Sequence, residues 1–491
     1  MTRVVDWLRR LRPEPDVVRI VAVWAAWLAV LCAFQAVVQA RMSPERPDVV
    51  LTWTPNLTEA ATSSAEGPGC HPRLSDQTLN EHVSFDSEYY ISIAVAGYDD
   101  PQASSYVWSG YDVAIHGVPT CTAGMVGHYT PLNFAFMPGY PMAMKAVMAV
   151  ESVVPGLSGL TDNGRATIAG ILVSALGGLL AMLALARLMA YLERTRTSTA
   201  PASEPEGRDV AGGQPGPAAP TSAWGGAAGL RAGLYLLLFP TGFYLAQVYT
   251  EGLFLGLAFL SCALAVEKKL FLAALLAVAA ALTRQVGLFL FIPLAWSAFE
   301  VVKGQEARGE DLRFRVPVFA TVAPLATFIV WYLSPLGRMW QMVESQYFGR
   351  SYDPAGSVAM WGRALASVIS GRDQSGIPWP YAPYGGGSLA TSTSVYLSLE
   401  MAALVLSVVS CVWLWRRGLR SVALFGLAVI LLSAGSSSGQ SVDRYVLAVP
   451  AIFLMLAWFG RHAIFDRAWV MASTLLMGML AMLFTFGFWV A

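Results

Sequence analysis

The sequence is short of charge. Only 13% of its 491 residues are Asp, Glu, Lys or Arg, whereas soluble domains average about 25%. With 55% hydrophobic residues and a mean hydropathy of +0.52, so few charges cannot cover the surface of a water-soluble body of this size. Disordered chains are poor in apolar residues, so that class is excluded as well. The composition therefore indicates a polytopic membrane protein.

The chain also has no net charge and few cysteines. The 32 basic residues balance the 32 acidic ones, so the chain has no basic field that would hold nucleic acid. Five cysteines are too few for a disulfide scaffold. Cys70 and Cys121 share one long polar loop, where they either form a disulfide in an oxidising compartment or are two unrelated thiols.

Apolar runs long enough to cross a bilayer recur along the chain. The first, 17–40, is too long for a signal-peptide core and no cleavage site follows it, so we expect it to remain as a helix. Two runs are irregular: 270–300 is broken at 282–285, and 132–152 contains Pro138 and Pro141. We predict one all-α membrane domain over 1–491, with about 11 to 12 transmembrane helices. The regular runs are 18–40, 165–191, 229–248, 250–266, 317–335, 391–414, 420–434, 444–460 and 468–490.

The distribution of Lys and Arg sets the orientation in the cell membrane, because these residues gather in cytoplasmic loops. They indicate a cytoplasmic N-terminus and cytoplasmic segments at 187–208, 267–269, 303–315, 416–420 and 461–467. A first extracytoplasmic loop over 41–131, carrying short surface helices, and a second over 336–390 follow from alternating crossings. Segment 132–152 breaks the alternation, so either it dips into the membrane and returns or one pass is miscounted.

Two segments have a distinctive composition. Residues 193–228 are rich in Pro, Ala, Gly, Ser and Thr, which predicts a flexible cytoplasmic linker. The loop 336–390 is rich in Trp, Tyr and Phe, which predicts a folded cap or amphipathic helices lying on the membrane.

Ionisable residues beside or within apolar runs are costly there and are functional-site candidates by default. All the candidates fall on the predicted extracytoplasmic face. The count of Lys and Arg that sets the orientation does not by itself require this agreement. They are Asp86, Glu88, Glu251, Arg284, Asp443 and Arg444.

Several candidates also have a structural interpretation. Asp86 and Glu88 open a short helix predicted to lie on the membrane surface, where Asp86 is either a helix cap or a functional acid. Glu251 needs a cation, for which Arg284 is the natural partner, in a structural bridge or at a substrate. Arg284 offers donors suited to phosphate. Arg444 is either a second phosphate contact or an interfacial residue.

The sequence indicates no cofactor and no metal ligands. Four histidines, His71, His82, His116 and His128, lie in the first loop, where a divalent metal is conceivable. No helical pair or close Cys/His spacing supports a metal site.

These charges suit the transfer of a sugar from a polyprenyl phosphate to an alcohol. The lipid tail would lie among the helices, the phosphate near Arg284 or Arg444, and a carboxylate in the first loop would accept the proton of the attacking hydroxyl.

Five ordered motifs resemble the PIG-V type mannosyltransferases, the family of GPI mannosyltransferase 2, which are GT-C glycosyltransferases. Phe85 stands where that family usually has Trp, and Gln285 where Pro often follows the Arg. The motifs are Phe85-Asp86-Ser87-Glu88-Tyr89-Tyr90 through Gly97-Tyr98, Phe134-Ala135-Phe136-Met137-Pro138-Gly139-Tyr140-Pro141, Phe239-Pro240-Thr241-Gly242-Phe243 through Tyr249-Thr250-Glu251-Gly252-Leu253-Phe254, Ala281-Leu282-Thr283-Arg284 with Gly287, and Arg444-Tyr445 with Pro450.

The resemblance implies an inverting GT-C transferase that moves mannose from a polyprenyl-phosphate donor to a glycolipid or protein acceptor on the extracytoplasmic face. Asp86 would be the catalytic carboxylate. The substrate-binding residues would be Glu88, Tyr249, Glu251, Arg284, Asp443 and Arg444.

Two other functions remain open. A lipid-linked sugar flippase or transporter would use the same charges along a path, and predicts ionisable groups on both sides of the membrane midplane. A non-catalytic scaffold would keep the fold without the reaction, although intact acidic and basic groups argue against it.

Overall fold

A computed structural model describes residues 14–42, 78–84, 86–100, 132–199, 222–346, 350, 352–371, 389–436, 441–485 and 490. Within these residues every regular element is helical, apart from one isolated bridge between Tyr352 and Ser436. The predicted all-α class is therefore confirmed. Several of the sequence-based expectations fall outside the described residues. These are the pairing of Cys70 with Cys121, which the sequence leaves open, most of the first loop, Phe85, and parts of the segments 193–228 and 336–390.

The described α-helices range from 4 to 38 residues. In chain order they are α1 (Pro15–Met42), α2 (Asp86–Val95), α3 (Gly139–Glu151), α4 (Asp162–Thr199), α5 (Gly226–Leu237), α6 (Glu251–Val266), α7 (Leu270–Thr283), α8 (Phe291–Ala307), α9 (Arg315–Leu333), α10 (Pro335–Gln346), α11 (Pro354–Ser370), α12 (Leu389–Arg416), α13 (Arg420–Gly435), α14 (Val442–Tyr445), α15 (Pro450–Phe459) and α16 (Ala463–Thr485). Short 3₁₀ turns separate some of them: η1 (Asn80–His82), η2 (Leu132–Ala135), η3 (Gly242–Ala246), η4 (Gln285–Leu290) and η5 (Val446–Ala448).

Fewer helices than predicted are long enough to span a membrane. The described residues hold six, or seven if the pair Val442–Ala448 and Pro450–Phe459, bent by 82°, counts as one span. The predicted span 229–248 is not continuous, because α5 ends at Leu237 and the turn η3 follows Pro240. The apolar helices α6, α7 and α13 have 14 to 16 residues, about 21–24 Å at 1.5 Å per residue. They are short against a hydrocarbon core of about 30 Å.

Segment 132–152 does not cross the bundle. Its helix α3 has only 13 residues and packs antiparallel against the first turns of α4. The Tyr140 hydroxyl, in the first turn of α3, donates to the Gly170 carbonyl at 2.8 Å. Glu151, at the far end of α3, lies near Arg165. The first turns of α4 and all of α3 thus form a hairpin, which accounts for the break in the predicted alternation.

Helices occupy parts of the segments predicted as loops. Helix α4 continues to Thr199, so any linker begins later than the predicted residue 193. The aromatic loop 336–390 contains α10 and α11, in agreement with the interpretation as amphipathic helices. Helix α2 is not on the surface as predicted, because Tyr89 and Tyr90 pack on Phe136 and residues 87–94 are buried.

Helices α4 and α6 meet at their backbones and form the centre of the fold. A Cβ on Gly252 would lie 2.0 Å from the Ser174 carbonyl oxygen, and one on Gly177 would lie 2.3 Å from the backbone of Gly252. A Cβ on Gly256, one turn further along α6, would lie 2.6 Å from the Gly177 carbonyl oxygen. Small residues four apart allow helices to approach closely in membranes. This contact fixes the start of α6, where Glu251 lies.

The segments predicted to share the cytoplasmic side lie together at one end of the bundle. Arg187 pairs with Glu267, and Arg461 reaches Glu193 at 2.8 Å. Arg417 stacks over Trp458. This end is about 24 Å from Glu251, measured along α6 at 1.5 Å per residue.

We expect Gly252→Ala to destabilise the protein, because its methyl group has no space against Ser174. Overpacking of this kind typically costs about 1–3 kcal/mol. The measurement is the thermal unfolding temperature in detergent. The matched control is Gly478→Ala on α16, where an added Cβ meets nothing within 4 Å. Equal unfolding temperatures for the two variants would show that the α4–α6 backbone contact is not needed.

Candidate active site

A cavity of about 280 Å³ lies at the end of the bundle where α6 begins. Its charged lining residues are three carboxylates and three guanidiniums: Asp86, Glu251, Glu344, Arg284, Arg350 and Arg444. Aromatic side chains complete the walls, among them Tyr90, Phe136, Trp340, Tyr352 and Tyr445.

Glu251 and Arg284 form a nearly buried ion pair. The Arg284 guanidinium donates to the Glu251 carboxylate and to Thr250 Oγ1 at 3.2 Å. The side chains are 2% exposed for Glu251 and 18% for Arg284. Arg284 has extended backbone (φ −148°, ψ 143°) between α7 and η4. The structure therefore brings together the partners predicted from sequence.

Arg284 lies in a short non-helical break between α7 and η4, where two glycines allow close backbone contacts. A Cβ on Gly287 would lie 2.6 Å from the backbone of Ala280, so only glycine lets η4 fold back on α7. A Cβ on Gly139 would lie 2.8 Å from the Leu282 carbonyl oxygen, so the start of α3 packs directly on the end of α7.

Arg444 bridges two carboxylates from distant parts of the chain. Its Nη1 lies 3.2 Å from Asp86 Oδ2, and its Nε lies 3.3 Å from Glu251 Oε1. The guanidinium also stands over the rings of Tyr244 and Tyr249, with 5.4 and 5.3 Å to their centroids. Stacking on aromatic faces stabilises a guanidinium and fixes its plane. Asp86, Arg444, Glu251 and Arg284 thus form one continuous chain of charges.

Asp86 is the first residue of α2 and reaches the cavity with 27% of its side chain exposed. The rest of α2 is anchored by rings: Tyr89 stacks on Phe136 with centroids 4.9 Å apart, and Tyr90 meets Tyr140 edge-on at 5.1 Å. Burial raises the pKa of Tyr90, so its hydroxyl stays neutral. Aromatic packing thus holds a helix whose acid faces the cavity.

A buried polar network fixes the chain just before α2. Nδ1 of His82 lies 3.0 Å from the Ala246 carbonyl and 3.1 Å from Gln247 Oε1. Both are acceptors, so Nδ1 carries a proton. Gln247 Nε2 donates to Gln35 Oε1 at 2.9 Å, and Gln35 Nε2 donates to Thr485 Oγ1 at 3.1 Å. Burial lowers the pKa of His82 to about 4.

Glu344 and Arg350 line the cavity but were not predicted from sequence. Arg350 Nη1 lies 3.5 Å from Glu344 Oε2, and burial raises the pKa of Glu344 despite that cation. They belong to the aromatic loop, outside the apolar runs, so a search for charges within such runs does not reach them. In the sequence, the high content of aromatic residues in that loop was the feature that could have pointed to them.

Three predicted residues lie outside the cavity lining. Glu88 is buried within α2. The backbone N–H of Asp443 donates to Glu400 Oε2 at 2.7 Å, and its carbonyl accepts a hydrogen bond from Thr241 Oγ1 at 3.0 Å. Tyr249 lies against Arg444, and its hydroxyl donates to the Ser84 carbonyl at 3.1 Å.

Among the described residues, no three His, Cys, Asp or Glu side chains lie close enough together to hold a metal ion.

No family model matches the chain, and no curated protein matches its sequence. A solved structure that aligns with this fold is the archaeal oligosaccharyltransferase AglB from Archaeoglobus fulgidus, in complex with an inhibitory peptide and a dolichol-phosphate. The two chains are 12% identical, with a TM-score of 0.35. The alignment covers 94% of this chain and 55% of AglB, so this chain spans about half the length of that protein. At this level of likeness no family or activity follows from the comparison.

We expect acid to destabilise the protein partly through His82. Its pKa is about 4 when folded and 6.5 in its reference state, so protons favour the unfolded chain as pH falls from 6.5 toward 4. By pH 5 the loss is about 2 kcal/mol. The measurement is thermal unfolding in detergent from pH 7.5 to 5. His82→Asn keeps an N–H donor and does not titrate, so its unfolding temperature should fall less.

The control is His462→Asn, since His462 is exposed; its pH dependence should match that of the unaltered protein. If the unfolding temperature of His82→Asn has the same pH dependence as that of the unaltered protein, the proposal that His82 is buried in its neutral form is refuted.

Proposed function

We propose that the protein is a GT-C type glycosyltransferase that moves one hexose from a polyprenyl phosphate to an acceptor hydroxyl. The observation that carries the proposal is the convergence of Asp86, Arg444, Glu251 and Arg284 on one cavity. A carboxylate acceptor and several guanidiniums at the edge of an apolar bundle suit a substrate with a lipid tail and a phosphate. Mannose is the sugar that the resemblance to PIG-V type enzymes implies.

The reaction is a single displacement at the anomeric carbon. The acceptor oxygen bonds to C1 while the bond from C1 to the phosphate oxygen breaks, and configuration inverts. The hydroxyl proton moves to a carboxylate, and the polyprenyl phosphate leaves as an anion that needs cations rather than an acid. Nearby negative charge helps the developing oxocarbenium ion, as in glycoside hydrolysis.

Asp86 is the best suited of the three carboxylates to accept that proton. Glu251 is 2% exposed and lies between Arg284 and Arg444. Glu344 is 14% exposed beside Arg350. Asp86 is 27% exposed, with Arg444 at 3.2 Å orienting one of its oxygens. The Asp86 carboxylate therefore has both the access and the fixed orientation that a general base needs.

Arg350 and Arg284 are the proposed phosphate contacts. Arg444 is 5% exposed and engaged by two carboxylates, so it orients Asp86 rather than binding substrate. Arg350 lines the cavity and is 32% exposed. The cavity, at about 280 Å³, is near the lower limit of about 300 Å³ for ligand pockets, which suits one sugar phosphate.

The arrangement of charge supports an extracytoplasmic site and favours a transferase over a flippase or transporter. The described segments predicted to be cytoplasmic lie at the end opposite the cavity. Ion pairs at that end are partly exposed, with 20–22% for Arg187 and Glu267. At the cavity, Arg444 and Glu251 are more buried, at 5% and 2% exposed, while the other cavity charges, at 14–32%, are similar to that pair. A transport path would need buried charge on both sides of the midplane.

We expect Asp86→Asn to lower the transfer rate by at least 100-fold, since general-base catalysis typically contributes about 10²–10⁴-fold. Purified protein is incubated with polyprenyl-phosphate mannose and candidate glycolipid or peptide acceptors, and products are identified by mass spectrometry. The matched control is Asp162→Asn at the start of α4, which is 63% exposed and outside the cavity; it should leave the rate unchanged. A normal rate with Asp86→Asn would refute the assignment. Uptake of donor into liposomes without any product would instead support a transporter.

We expect Arg350→Met to raise the KM for the donor by about 10-fold or more, because a hydrogen bond to a charged group is worth about 1.5–3 kcal/mol. Its matched control is Arg338→Met on α10, an exposed arginine outside the cavity lining. The KM for the donor is measured for both variants by steady-state kinetics at varied donor concentration. Equal KM values for Arg350→Met and Arg338→Met would contradict a phosphate contact at Arg350.

A further inference from the structure

Helix α12 carries a single acidic residue, Glu400, among apolar neighbours. The side chain is completely buried, in a helix long and apolar enough to cross a membrane. Carboxylates are costly in that position and persist where a partner stabilises them. The contacts of Glu400 therefore indicate why an acid stands there.

Glu400 contacts the backbone of the turn that carries Arg444. Its Oε2 accepts the N–H of Asp443 at 2.7 Å. Tyr396 lies one helical turn earlier on α12, and its hydroxyl accepts the N–H of Ser441 at 3.0 Å. Tyr396 also hydrogen bonds to the Glu400 carboxylate. The first N–H groups of a helix have no partner within it, and here two side chains of α12 satisfy those of α14.

The turn 441–445 needs such support because its backbone is unusual. Ser441 has φ 63°, in the left-handed region, which a residue other than glycine rarely adopts and which costs about 1–2 kcal/mol. The chain bends by 82° shortly afterwards, between Val442–Ala448 and Pro450–Phe459. Two hydrogen bonds to helix α12 fix this turn. The side chain of Arg444, which belongs to the turn, lies between Asp86 and Glu251.

We propose that Glu400 is a positioning residue, which holds the backbone of turn 441–445 so that Arg444 reaches Asp86 and Glu251. Glu400 does not line the cavity. Its effect on catalysis rests on the proposed function, whereas its effect on the position of Arg444 does not. The sequence signal was present, since Glu400 is an acid inside an apolar run.

The first test uses transfer kinetics. We expect Glu400→Met to lower kcat at least 30-fold, because the turn loses its acceptor. Glu400→Gln should stay within about 5-fold of the unaltered protein, because an amide oxygen accepts the same N–H. Combining Glu400→Met with Arg444→Met should cost no more than Arg444→Met alone, since residues acting through one contact are not additive. Independent, multiplying losses would overturn the proposal.

Two further variants separate positioning from folding. Ser407→Ala removes another buried polar group of α12, whose hydroxyl donates only within its own helix, and should keep normal kcat. Tyr396→Phe removes the hydroxyl at Ser441 but leaves Glu400 in place, and should lower kcat partially. If Glu400→Met does not fold, a normal kcat for Tyr396→Phe would contradict the proposed role of these α12 hydrogen bonds.

The second test needs no enzymatic activity. In the Arg444→Cys variant, the rate at which a water-soluble maleimide labels position 444 is measured by peptide mass spectrometry. Because this method distinguishes position 444 from the native cysteines, those cysteines can remain in place. We expect labelling at least 10-fold faster when Glu400→Met is added, and unchanged when Glu400→Gln is added. Unchanged labelling with Glu400→Met overturns the positioning role. A response here without transfer by the unaltered protein refutes the proposed function and leaves the positioning role intact.

Discussion

The candidate site depends on one guanidinium shared by two carboxylates. Arg444 joins Asp86, from the start of α2, to Glu251, from the start of α6, and these residues are far apart in sequence. Burial of such charges carries a large desolvation cost, which only good geometry and complete partners offset. Removal of Arg444 would leave Asp86 without this cation, whereas Glu251 would keep Arg284. The shared contacts therefore require the helices that carry these residues to be held in one arrangement.

That arrangement is set by contacts between backbones more than by the charges themselves. Gly252 and Gly177 bring α4 and α6 together without intervening side chains, and Gly139 and Gly287 do the same around the break after α7. Interiors packed at this density resist displacement. The charged groups are therefore presented by a rigid scaffold, as catalysis by oriented groups requires.

The sequence predicted the helical class and the pairing of Glu251 with Arg284, because charges within apolar runs must find partners nearby. It did not predict Arg350 and Glu344, which lie in a loop where charge is unremarkable and only the tertiary fold brings them to the cavity. Helix α2 appeared amphipathic enough for a membrane surface, yet Phe136 and Tyr140 cover its aromatic residues. Within the described residues, fewer helices than the predicted 11 to 12 are long enough to span a membrane. Hydropathy does not show that the apolar helices α6, α7 and α13 have only 14 to 16 residues or that α5 ends before Pro240.

The equal number of acidic and basic groups around the cavity bears on how a turnover would end. Three guanidiniums face three carboxylates, so the formal sum of the lining is zero when all are ionised. In the proposed reaction the donor is a phosphodiester with one negative charge, and transfer would convert it to a monoester with up to two. The proton taken up by Asp86 would keep the total constant at that moment. Its later departure to water would leave an excess anion in the cavity, and electrostatic repulsion would then favour release of the spent lipid.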